Sequence, residues 1–171
     1  MKAELLTLRV IHILGGIFWV GSMLYATYFL APALRSSPQV AGQVMAGLQK
    51  RRLFIILPTV ALLTIASGIR LLWIASAGFD DSYLSTATGR TFSLGAGAAI
   101  VAFLLAVLVS RPGFVRVGNL SASLAAATDE AARQGLMMEM QRISRRVGVA
   151  NAIVAALLLF TAVSMATARY L

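Results

Sequence analysis

Charge is bunched in this chain, and the gaps between the bunches limit what it can fold into. Residues 10–34, 53–69, 91–110 and 147–168 contain no Asp, Glu, Lys or Arg. A helix rises about 1.5 Å per residue, so roughly 20 apolar residues cross the roughly 30 Å of hydrocarbon in a bilayer. Read with their flanks, the gaps predict four spans, at approximately 5–34, 52–77, 91–110 and 147–169. The second continues past Arg70. With 59% hydrophobic and 12% charged residues, a soluble domain of this size would lack the polar residues to cover its surface. Apolar and polar residues do not alternate with period 2, and helices satisfy their own backbone, so a barrel is excluded. The expected fold class is all-α: an integral membrane four-helix bundle, one membrane domain over residues 1–171. Lys2 ahead of an apolar run imitates a secretory leader. The run is too long for one, and Arg9 and His12 interrupt its start, so it reads as a retained first span.

The net charge of +9 is placed where topology needs it. Arg35, Lys50, Arg51 and Arg52 lie in the first connection, and Arg111, Arg116, Arg133, Arg142, Arg145 and Arg146 in the third. The second has Arg90 with Asp80 and Asp81. By the positive-inside rule the first and third connections are cytoplasmic, and both termini are periplasmic. The basic connections lack interleaved aromatics, so the expected partner is the lipid bilayer, with anionic headgroups, and not nucleic acid. Cysteine is absent, which excludes disulfides, thiol catalysis and thiolate metal sites.

The connections have local signals of their own. Ser37 before Pro38 pairs a helix N-cap with proline at the first helical position, predicting a short cytoplasmic surface helix over 38–50. In the third connection, good helix formers and an Asp129–Arg133 pair at i,i+4 predict a surface helix leading into the fourth span. Pro58 lies early in the second span, where proline kinks a helix. The stretch SAGFDDSYLSTATGR is rich in turn formers and reads as irregular.

The one histidine, His12, stands inside the first apolar run. Entering near residue 5, it lies about 10 Å into the bilayer. Gly15, Gly16, Trp19 and Met23 share its helical face. Two glycines beneath an imidazole leave a hollow that serves either close helix packing or a flat ligand against the backbone. Arg9, Arg70 and Arg90 ring the same end, and Met165 of the fourth span reaches a similar depth. Imidazole, thioether and guanidinium groups suit haem b, with His12 and Met165 as axial metal ligands and the arginines on the propionates. Met23 is a deeper alternative to Met165. An intramembrane ionisable residue tends to mark function, yet a packing histidine, a core methionine and snorkelling arginines have the same sequence signature. Gly95 and Gly97 in the third span read as positions of close helix approach.

HILGGIFWVGSMLY, with His12, Trp19, Gly21 and Tyr25, and KRRLFIILPTVALLTIASGIRL, with Arg51, Arg52, Leu53, Pro58 and Gly68, carry a family resemblance. The chain resembles small bacterial membrane proteins of the copper-resistance-D-like group and the related HemJ-type protoporphyrinogen oxidases. NAIVAALLLFTAVSMATARYL is similar to the last span of the former. The resemblance implies a multi-pass four-helix protein of the bacterial cell inner membrane, with His12 holding haem b in the HemJ-type branch. The lysine expected in the third span of that branch is missing from residues 91–110. The copper-resistance branch implies copper uptake, for which LMMEM offers the soft ligands Met137, Met138 and Met140. Adjacent Met137 and Met138 diverge by about 100° on a helix, while Met140 returns toward Met137. Three classes remain open: a haem b-binding redox protein, a non-catalytic accessory subunit of a membrane complex or homo-oligomer, and a copper transport protein.

Overall fold

The computed structural model describes residues 2–171, and among these there is no strand. Four continuous helices, Lys2–Ser36, Leu53–Ala75, Ala87–Ala126 and Glu130–Tyr170, are long and apolar enough to cross a membrane. They comprise α1 (Lys2–Tyr25) and α2 (Ala31–Ser36); α4 (Leu53–Ala75); α6 (Ala87–Leu105) and α7 (Arg111–Ala126); and α8 (Glu130–Thr167). Between them lie α3 (Pro38–Lys50) and the short α5 (Asp81–Leu84). The architecture is that of an all-α membrane protein.

Packing is strongest within two pairs, α1 on α4 and α6 on α8, with lighter contact between the pairs. The core that joins them is Trp19, Met23, Ala61, Ala99, Ala102, Val154 and Leu158. Its alanines let backbones approach closely, which is how helices gain dispersion contacts where lipid is as apolar as leucine. Trp19 meets Phe103 edge-on, with ring centroids 6.5 Å apart. Most large apolar side chains point outward: Leu14 is 62% exposed and Ile17 66%. Such a surface is a liability in water and the ordinary boundary in lipid.

The first and third long helices share a device that the sequence reading did not anticipate. Each changes to a π-turn, at Ala26–Leu30 and Ala106–Ser110, and each π-turn is followed by Xaa-Pro, Ala31-Pro32 and Arg111-Pro112. Proline lacks an N–H, and its ring collides with the carbonyl four residues back in a regular helix. The N–H of Ala31 bonds instead to the carbonyl of Ala26, and that of Arg111 to Ala106. The i→i−5 bonds widen the turn ahead of the ring, so the helix continues. The third helix therefore overruns its expected end at 110 and reaches Ala126.

The connections follow their local signals in part, and among the described residues no separate surface helix leads into the fourth span, since α8 runs unbroken from Glu130 to Thr167. A helix covers Pro38–Lys50, but Ser37 offers its carbonyl, to the N–H of Val40 at 3.2 Å, and not its hydroxyl. At the start of α8 the Asp129 carboxylate accepts from the N–H of Ala132 at 2.8 Å, so it caps the helix. Arg133 lies 3.9 Å from Glu130 instead, which corrects the expected Asp129–Arg133 pair. The second connection is irregular only in part: Ala77, Gly78 and Phe79 are at positive φ, but Asp81–Leu84 form a short helix and the third long helix already starts at Ala87. Buried Ser76 holds this turn, accepting from the N–H of Phe79 at 2.8 Å. Beside it the Ser82 hydroxyl and the backbone N–H of Ser82 hold the Asp80 carboxyl below its ordinary pKa.

Two glycines of α7 give opposite expectations. A Cβ at Gly113 would overlap the Val147 side chain, whereas Gly118 has open space. Gly113→Ala should cost about 1–3 kcal/mol by prying α7 from α8. Gly118→Ala should be neutral or gain up to about 1 kcal/mol from helix propensity. Thermal unfolding in detergent, with both variants side by side, measures the contrast.

Candidate functional site

The α1–α4 interface is built around His12. Its half-buried ring lies on Gly68, where a Cβ would stand 2.6 Å from Cε1 and 3.0 Å from Nδ1. His12 Nδ1 is 2.8 Å from the backbone carbonyl of Thr64. A carbonyl only accepts, so Nδ1 carries the hydrogen and donates. The same carbonyl accepts from the Ser67 hydroxyl at 3.0 Å, and the Thr64 hydroxyl is satisfied within its helix by Val60. In the neutral ring the lone pair is then on Nε2, and no donor reaches that atom among the described residues.

Thr64 also settles what lies under the imidazole. A Cβ at Gly15 would overlap the Thr64 hydroxyl, and one at Gly16 would lie 3.8 Å from Thr64 Cγ2. The glycine hollow is filled by the neighbouring helix. His12, Gly15 and Gly16 of α1 thus meet Thr64, Ser67 and Gly68 of α4 in one close crossing.

The cations divide. Arg70 reaches the Glu4 carboxylate through Nε at 3.1 Å and Nη2 at 2.7 Å, and its guanidinium carbon lies 4.5 Å from the centre of the Trp73 ring. With both side chains 44% exposed, this ion pair is worth roughly 0–1 kcal/mol after solvent screening. Arg9 and Arg90 are exposed and belong to no ion pair among the described residues. Met165 is half-buried and sets its methyl on α6, where a Cβ at Gly95 would lie 3.4 Å away. Gly95 is a point of close approach; Gly97 faces open space. Met23 is buried in the core beside Trp19. Met137 and Met140 line one groove with Arg35, while Met138 is 67% exposed. The described residues hold no cluster of three or more His, Cys, Asp or Glu side chains able to bind a metal ion.

The sequence reading missed Thr64 and Glu4, and named Gly68 only as part of a motif and not as a partner of His12. Thr64 and Gly68 stand four apart, a small-residue pair on one helical face, which is the signal that could have matched them to Gly15 and Gly16. Glu4 is one of only six acids in the chain, near the start of the first span, with Arg70 the cation near the end of the second. No family model, no curated protein and no solved structure matches this chain.

The His12–Gly68 contact is testable by a double-mutant cycle. Gly68→Ala should cost about 1–3 kcal/mol in the wild-type background, because the added methyl displaces the imidazole. In His12→Ala most of that cost should vanish, giving a coupling of about 1 kcal/mol or more by thermal unfolding.

Proposed function

We propose that this chain is an integral membrane haem b-binding redox protein in which His12 supplies an axial ligand through Nε2. The observation that carries the reading is the 2.8 Å contact of His12 Nδ1 with the Thr64 carbonyl. Metal-ligating histidines characteristically donate their other ring N–H to a carbonyl or carboxylate, which fixes the tautomer and aims the free lone pair. Arg9 and Arg90, without ion-pair partners among the described residues, are the better candidates for the propionates; Arg70 is engaged by Glu4. Met165, the second ligand expected from the sequence, packs its methyl on Gly95 of α6 while the His12 ring packs on Gly68 of α4, so His12 is the ligand this reading rests on. Haem b, when bound, supplies one-electron chemistry.

A second reading rests on Gly68. A ring seated on a glycine and bonded to a backbone carbonyl is also a complete interhelical strut, and in that case the chain is an accessory subunit whose apolar outer faces meet other membrane proteins. A reduced-minus-oxidised spectrum of the purified protein, with haem quantified per chain, separates the two. The haem reading expects a Soret band in wild type that His12→Ala abolishes. A colourless wild type after haem supplementation overturns it.

The same proposal sets the protein in a bacterial inner membrane with its termini and second connection outside, as the arginines of the other two connections argue. The cysteine-free chain makes this simple to check with a membrane-impermeant maleimide. Ser85→Cys should label in intact cells, and Gln49→Cys only after lysis; the reverse pattern inverts the topology.

A further inference from the structure

Away from His12, beginning about 10 Å further along the first helix, the four long helices and α3 border a half-open cavity that neither the haem nor the strut reading uses. Its volume is about 180 Å³ and its lining is almost wholly apolar. Trp19, Ala61 and Phe103 line it beside the core, with Phe54 and Phe114, whose rings lie 5.9 Å apart, further along. Residues of both π-turns line it as well, among them Ala26, Leu30 and Ala106. π-turns inside helices occur frequently at functional sites, and here two from different helices border one space.

The polar groups of the lining are few and specific. Buried Ser110 donates its hydroxyl to Asn151 Oδ1 at 2.6 Å. The Asn151 amide N–H groups then find no protein acceptor among the described residues. Beside Asn151, Arg111 lines the cavity and is in no ion pair among the described residues. Asn151 is half-buried and Arg111 exposed, so both present donors at the rim of the apolar space that a ligand there can complete.

Size and chemistry together select the occupant. The space has about the volume that seats one aromatic ring and is open on one side, so it suits a ring whose substituents leave through the opening. The free groups at its polar edge are donors, which call for an acceptor that carries no N–H or O–H of its own. We propose that the cavity binds the ring of a lipid-soluble carbonyl compound of the quinone type, its carbonyl oxygen accepting from the Asn151 amide and the Arg111 guanidinium. This assignment does not depend on haem.

Trp19 provides the readout. In full-length Trp73→Phe it is the sole tryptophan, and a quinone bound beside it quenches its fluorescence. Titration of the detergent-purified protein with 1,4-naphthoquinone should give saturable quenching. Asn151→Leu and Arg111→Gln should each weaken the apparent affinity about five- to tenfold, the usual effect of one lost hydrogen bond. Ala106→Leu, which fills the space without touching the donors, should abolish saturation while the protein still elutes as a single species. Quenching that rises linearly, or that is unchanged in all three variants, means partition into detergent and overturns the proposal. Displacement of the naphthoquinone by hexadecanoate at equal affinity overturns it too, by showing a chain site. A protein that proves colourless in the spectrum yet saturates with naphthoquinone refutes the haem reading and leaves this one standing.

Discussion

In hydrocarbon a peptide N–H or C=O has no partner except the protein itself, and most local features of this fold answer to that constraint. The spans are helices because only a helix satisfies its backbone within one segment. Where Pro32 and Pro112 would break the pattern, the hydrogen bonding shifts to i→i−5 and the helices persist. Most span hydroxyls follow the same rule: Thr59 and Thr64 donate to the carbonyl four residues back, and Ser67 and Thr161 share their hydrogen between that carbonyl and a second one, whereas buried Thr27 Oγ1 in the first π-turn has no partner. A hydroxyl bonded four residues back is made safe without leaving its own helix.

Contacts between helices are then few and polar groups among them are conspicuous. His12 bonds the Thr64 carbonyl, Thr161 reaches the Gly95 carbonyl at 3.1 Å, and Ser110 bonds Asn151. The first ties α1 to α4; the other two tie α6 and the π-turn after it to α8. No polar bond of this kind joins one pair to the other among the described residues, and that boundary is where the 180 Å³ cavity lies. Apolar contact alone holds the halves there, through Trp19 and Phe103 and the core alanines. The arrangement leaves room for a guest between two firmly built pairs.

The legibility of the sequence followed the range of the interactions. Spans were visible because bilayer thickness imposes a length on uncharged runs, and the turn at residues 77–79 because turn chemistry is local, though the same stretch also holds the helix Asp81–Leu84. Helix 38–50 was visible from Ser37-Pro38, although the expected hydroxyl cap is not made. Asp129 and Arg133 were read as a pair because i,i+4 spacing permits one. The carboxylate instead took the nearer backbone N–H of Ala132, an orphan donor that every helix start presents. The π-turns went unread because Xaa-Pro in a long apolar helix signals a break, and only the realised hydrogen bonding reveals a continuation.

For the site, the chain by itself determined that an ionisable ring stands in a span above two glycines, with arginines toward one end. Whether those glycines met a helix or a ligand was undetermined, since both need the same missing side chains. What the tertiary structure decided is which protein groups meet there: Thr64 packs on the glycines, Gly68 lies under the imidazole, and Arg70 pairs with Glu4. The physical reason is that membrane insertion depends on properties summed along one segment, whereas a site depends on which faces of separate helices meet. That choice turns on a few methyl groups whose contacts lie more than fifty residues apart in sequence, as His12 and Thr64 do.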